Sequence, residues 1–94
     1  MPEARARLRI YGRVQGVFYR GETVEEAYKL NLKGWVANKR DSSVEVVVEG
    51  PRRDIEKLIQ WCHKGPRLAR VERVDVQWEE PTGEFDDFRV RYAF

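Results

Sequence analysis

Apolar residues in this chain recur at two periods, and the order in which those periods alternate restricts its fold more than any other feature. Leu8 and Ile10 alternate with Arg7, Arg9 and Tyr11, the pattern of a strand with one buried and one wet face. A first strand is expected over about Ala6 to Val14. Beyond Gly21, Val24, Ala27 and Tyr28 recur at helical spacing, while Glu22/Glu26 and Glu25/Lys29 fall on the outer faces. This helix should stop near Asn31, which tolerates the left-handed conformation found just past a helix end. Leu32 to Lys39 reads as a second strand, Asp41-Ser42-Ser43 as a polar turn, and Val44 to Glu49 as a third strand closing a hairpin. Pro51 suits the start of a helix, where a missing N–H costs nothing. Ile55, Leu58, Ile59 and Cys62 then form the strongest helical stripe, which Gly65-Pro66 ends. Val74, Val76 and Trp78 belong to a fourth strand and Phe88, Val90 and Tyr92 to a fifth, separated by a loop over Pro81 to Asp87.

The resulting order, βαββαββ, is a split βαβ arrangement of the α+β class. Both helices pack on one face of a mainly antiparallel sheet of about five strands. The opposite face stays open. The every-second-residue pattern puts Arg7, Arg9, Arg73, Arg89 and Arg91 there with Glu45, Glu49, Asp75 and Glu79, and cross-strand ion pairs are expected among them.

At 94 residues the chain suits one domain, residues 1–94, and its 41% hydrophobic content is enough for a single core. A lone cysteine, Cys62, excludes an internal disulfide, and the lone His63 with it does not make a zinc site. Cys62 completes an apolar stripe and reads as a buried small hydrophobe, and His63 as a surface partner of the helix C-terminus. The opening segment MPEARARLRI has no apolar run of signal-peptide length, and no segment is long enough to span a bilayer. A cytoplasmic, metal-free protein without membrane contact is expected. The formal charge of +2 is far from the basic balance of most nucleic-acid binders. The 36% charged content suits a heat-stable surface rich in ion pairs.

The stretch Gly12-Arg13-Val14-Gln15-Gly16-Val17-Phe18-Tyr19-Arg20 joins the first strand to the first helix and carries glycines where backbone turns sharply or approaches a ligand. Successive N–H groups there, backed by the positive end of the helix, suit phosphate oxygens. Arg20 adds a planar fork that binds such oxygens in pairs. The same spacing also fits an ordinary strand-to-helix turn, and it matches neither GxxxxGK[ST] nor GxGxxG. Asn38, at the end of Trp35-Val36-Ala37-Asn38-Lys39, has an amide able to hold a water or a substrate oxygen, although turns favour asparagine for backbone reasons as well.

Together GRVQGVFYR and GWVANKRDSSVEVVVEG resemble the two signature segments of the acylphosphatases. The likeness extends along nearly the whole chain, through Gly65-Pro66, Ala69, Val71, Val74 and the segment Phe85 to Tyr92. It implies a ferredoxin-like α/β sandwich that hydrolyses the carboxyl–phosphate bond of a small-molecule acyl phosphate to a carboxylate and inorganic phosphate, with no cofactor. It also implies that Arg20 binds the phosphate, that Asn38 orients the attacking water, and that Gln15, Gly16, Val17, Phe18 and Tyr19 form the backbone cradle leading to Arg20. Three positions depart from the family pattern. The turn Asp41-Ser42-Ser43 lacks a glycine that relatives often carry, Lys39 stands where many have threonine or serine, and Asn31 stands where a glycine is common.

Two other classes share features with this pattern. RNA-binding modules have the same βαββαβ order, but the third strand here, Val44 to Glu49, has no stacking aromatic and carries two carboxylates on the face that would meet RNA. A non-catalytic domain that binds a phosphorylated ligand through the same loop differs only in lacking turnover. A monomer without a nucleic-acid partner is expected.

Overall fold

A computed structural model describes residues 3–92. Strand β1 covers Glu3–Arg13, helix α1 Tyr19–Lys29, β2 Lys33–Asn38, β3 Val44–Pro51, helix α2 Arg52–Lys64, β4 Arg70–Glu79 and β5 Phe88–Val90. The strands form one sheet in the order β4-β1-β3-β2-β5. β1 and β2 both run antiparallel to β3, so they are parallel to each other with β3 between them, and α1 makes the crossover. α2 makes the second crossover, from β3 over β1 to β4. β5 adds to the free edge of β2 in parallel. This is the split βαβ sandwich expected from the order of periods.

The covered face of the sheet is apolar because each central strand sends every second residue toward the helices. Ala6, Leu8 and Ile10 of β1 lie opposite Val48, Val46 and Val44 of β3, and all are fully buried. Ile55, Leu58 and Cys62 of α2 close over them, as the helical stripe requires. Cutting such a buried leucine back to alanine costs on the order of 2–5 kcal/mol.

The stripe of α1 differs from expectation. Its buried residues are Tyr19, Thr23 and Ala27, while Val24 is only partly buried and Tyr28 is exposed. Thr23 is tolerated inside because its hydroxyl donates to the Tyr19 carbonyl at 2.7 Å, satisfying the polar atom within the helix. The helix also starts earlier than the sequence pattern indicates, so Tyr19 and Arg20 stand in its first turn. Its end follows the expected form. Asn31 is left-handed at φ 56, and the Leu32 N–H returns to the Ala27 carbonyl at 2.9 Å.

On the open face, Arg7 bridges strands to Glu45 and Glu79, each at 3.0 Å. Arg5, one residue before the expected start of β1, binds Glu49 at 2.9 Å and Glu79 at 3.0 Å. The other arginines depart from the cross-strand expectation. Arg9 reaches Asp41 in the turn, Arg73 pairs with Asp75 on its own strand, Arg89 pairs with Asp87 just before β5, and Arg91 lies over the Trp35 ring. Asp75 and Asp87 stand two residues from Arg73 and Arg89 along the chain, so these two pairs close within one segment and not across the sheet. β5 is also shorter than expected, since an edge strand gains pairing from one side only and Arg91 adds a single bond to the Val36 carbonyl.

Candidate active site

The link between β1 and α1 is shorter than the sequence indicates. β1 ends at Arg13, one residue before the expected Val14, and α1 already begins at Tyr19, so the free backbone spans 14–18. A bulge between Tyr11 and Gly12 bends the strand against β4, with Gly12 at φ 126 and its Cα pressed so close to the Arg70 carbonyl that a side chain would overlap it. The loop then alternates in sense. Gly16 has φ 75, Phe18 is left-handed at φ 67 and ψ 20, and Tyr19 begins the helix. A left-handed residue followed by a helical one turns successive N–H groups toward one side, the geometry of an anion-binding nest. Among the described residues, the N–H groups of Gln15 to Phe18 donate to no backbone carbonyl, and those opening α1 have no partner within the helix.

Side chains fix this loop on three sides. Val17 is buried in the core, and the buried Tyr19 donates its hydroxyl to the Cys62 carbonyl at 2.6 Å. The Tyr19 ring packs 5.5 Å from that of Trp61. Gln15 Nε2 donates to the carbonyls of Lys39 at 2.8 Å and Ser43 at 2.9 Å, tying the loop to the β2–β3 turn beside Asn38. The turn has its own brace, since Asp41 accepts from the Ser43 N–H at 3.0 Å and from Arg9 at 3.1 Å. Ser42 takes the left-handed position, φ 74, in the turn that lacks a glycine.

A groove of about 400 Å³ opens where these elements meet, lined by Val14, Gly16, Phe18, Tyr19, Arg20, Gly21, Asn38, Val90 and Tyr92. Of the residues singled out from sequence, Gly16, Phe18, Tyr19, Arg20 and Asn38 therefore come together, although Arg20 and Asn38 belong to different elements. Gln15 and Val17 do not line it, because their side chains serve the turn and the core. Among the described residues Arg20 has no carboxylate within salt-bridge distance, and its guanidinium lies 5.5 Å from the centre of the Tyr92 ring. Asn38 Oδ1 is buried and accepts no hydrogen bond within the described residues. Such an orphaned acceptor is unusual in a protein interior and common where a ligand or water belongs. Tyr92 was not singled out from sequence, and only its alternation with Phe88 and Val90 hinted at a place on their face.

A larger groove of about 750 Å³ lies on the open face beside Trp35 and Phe85. Most of its cations are engaged: Arg5 with Glu84, Arg7 and Lys39 with Glu45, and Arg89 with Asp87. An anion finds little free charge there. Among the described residues, no three of His, Cys, Asp and Glu gather in a way that would hold a metal ion, and no helix is long and apolar enough to cross a membrane.

A split βαβ sandwich whose groove gathers, among the described residues, an arginine without a carboxylate partner at the start of a helix and an amide oxygen without a donor defines an α+β protein of the ferredoxin-like kind with a candidate anion site. The acylphosphatase family pattern matches residues 6–90, and the chain belongs to that family. It is 54% identical over 90 residues to an acylphosphatase of Thermococcus kodakarensis, covering 96% of this chain and 98% of that one. An acylphosphatase of Pelotomaculum thermopropionicum is 45% identical over 92 residues, covering 98% of this chain and all of the other. Among solved structures, an acylphosphatase from Bacillus subtilis superposes with a TM-score of 0.91 at 30% identity, covering 95% of this chain and 99% of that one. One from Coxiella burnetii superposes with a TM-score of 0.89 at 37% identity, covering 95% and 93%. Acylphosphatase activity, implied by the two motifs, follows from this membership.

Proposed function

We propose that the groove holds the phosphate of a small-molecule acyl phosphate between Arg20 and the N–H groups of the loop, while Asn38 orients the water that displaces the carboxylate. One observation carries the reading: a cation and an amide oxygen that have no partner among the described residues line a single groove at the positive end of α1. Water attacks phosphorus, the bond from phosphorus to the acyl oxygen breaks with its electron pair, and the products are a carboxylate and inorganic phosphate. The leaving carboxylate is already stable, so the reaction needs neither a covalent nucleophile nor a Lewis acid. Positioning and charge stabilisation suffice.

Charge in such a transfer spreads over the three equatorial oxygens of the phosphoryl group. Arg20 meets two of them with its planar fork, and the cradle from Gln15 to Tyr19 meets them with backbone N–H groups, which need no reorganisation as the bond breaks. Asn38 is a poor proton acceptor, so its part is to aim the water by accepting a hydrogen bond at Oδ1. The proton of the water passes to a substrate oxygen. Gln15 keeps the two halves in register, because its amide spans from the loop to the turn that follows Asn38.

The enzyme in this reading works as a cytoplasmic, metal-free monomer formed by the whole chain, without a membrane or nucleic-acid partner. A single buried thiol and an open face whose arginines are largely neutralised by carboxylates support it. Hydrolysis of benzoyl phosphate, followed continuously with and without a chelator, tests it. Equal rates are expected, and loss of activity on chelation contradicts the metal-free reaction.

A further inference from the structure

The phosphate placement leaves the acyl group to be accounted for, and the rim of the same groove carries two aromatic rings that the fold does not bury. Phe18 is 74% exposed and Tyr92 is 73% exposed, yet both line the groove. Their neighbours explain the arrangement. Val17 and Tyr19 turn into the core, and the left-handed backbone at Phe18 turns its ring outward between them. Packing gives Phe18 no reason to be aromatic, and a left-handed position favours glycine over any side chain. Tyr92 lies just beyond β5, with its ring 5.5 Å from the Arg20 guanidinium, so an anion held by Arg20 sits next to an aromatic surface. Val14 and Val90 add apolar lining. A groove of about 400 Å³ is in the range that receives a small organic molecule, not a phosphate group alone.

We propose that Phe18 and Tyr92 form the acyl subsite, so that the preferred substrates are acyl phosphates with an aromatic or extended apolar acyl group over acetyl-sized ones. This rests on the phosphate lying at Arg20. With the phosphorus there, the acyl group leaves the groove across its rim, where a planar aroyl group stacks on one ring or packs edge-on against the other. Apolar contact of this kind is formed equally in the bound substrate and in the transition state, so it acts on KM more than on kcat.

The test is the ratio of kcat/KM for benzoyl phosphate to that for acetyl phosphate, in the wild type and in Phe18→Ala and Tyr92→Ala. Using a ratio cancels any loss of folded enzyme. The wild type should favour benzoyl phosphate, and each alanine variant should lower the ratio by about 3- to 10-fold, mainly through KM, the size expected of one aromatic contact. Phe18→Tyr and Tyr92→Phe should restore it, because either ring offers the same face. Hydrolysis of both substrates with a ratio unchanged in both alanine variants overturns the acyl subsite alone. A wild-type enzyme that hydrolyses neither substrate contradicts the phosphate placement itself, and the subsite with it.

Discussion

The Tyr19 hydroxyl donates to the backbone carbonyl of Cys62 at 2.6 Å, joining the first turn of α1 to the last turn of α2. Residue 66 is proline, so this carbonyl has no N–H four residues on to accept from, and Tyr19 takes that place. Burial of the phenol pushes its ionisation well above the ordinary tyrosine value, so the donor is intact at every pH at which the protein is studied. Tyr19→Phe leaves a buried carbonyl unpaired and should lower stability by about 1–3 kcal/mol. Guanidinium unfolding measures this. An unchanged midpoint would show that the bond contributes nothing.

Cys62 is fully buried, and the loss of solvent around it pushes the thiol up to about 12, outweighing the opposing effect of the nearby Tyr19 hydroxyl. Thiolate is the reactive form, so the native protein should not be labelled by a thiol reagent at pH 8, while the unfolded chain should react fully. Labelling of native protein at the rate of the unfolded chain would contradict the packing of α2 against the sheet.

Glu49 anchors the loop before β5. Burial pushes its carboxyl up, but donation from the Thr82 N–H, Arg5, the Gly83 N–H and the Thr82 hydroxyl outweighs this and holds it below the usual carboxylate range. A carboxyl whose folded value is depressed adds stability above its unfolded value, and that stability disappears as pH falls through the folded one. Unfolding free energy should therefore be flat toward neutrality and fall below about pH 4.3, the ordinary glutamate value. In Glu49→Gln the fall should be shallower. An equal slope in the variant would show that Glu49 is not among the groups responsible.

Much of the fold was legible because apolar spacing reports burial directly. Ile55, Leu58 and Cys62 face the sheet as their helical spacing requires, and the alternation of Leu8 and Ile10 with arginines sorts the two faces of β1. The stripe of α1 was misread by one residue because burial there includes Thr23, whose hydroxyl is satisfied by its own helix, and Tyr19, which spacing had placed in the loop. Arg5 was missed at the open face because it lies one residue before the expected start of the first strand.

The site was legible in a different way. No spacing rule connects Arg20 with Asn38, and the loop alone fits an ordinary turn. Only the likeness of two separate segments to one family put both residues in a single reaction. What that likeness did not reveal depends on side-chain direction. Gln15 spans to the turn beside Asn38, Phe18 turns outward where its neighbours turn in, and Tyr92 arrives from the far end of the chain by way of a parallel edge strand.

The division of labour between Arg20 and Asn38 is the central claim, and one paired measurement tests it: the inhibition constant of inorganic phosphate and the kcat for benzoyl phosphate, determined together in each variant. Arg20→Ala should lose both phosphate affinity and nearly all turnover, and Arg20→Lys should recover little, because an ammonium lacks the planar fork. Asn38→Ala should keep the wild-type phosphate affinity while kcat falls on the order of 10²- to 10³-fold, the usual cost of removing one preorganised group. Asn38→Ala with near-wild-type kcat, or Arg20→Ala with phosphate affinity intact, would contradict the account.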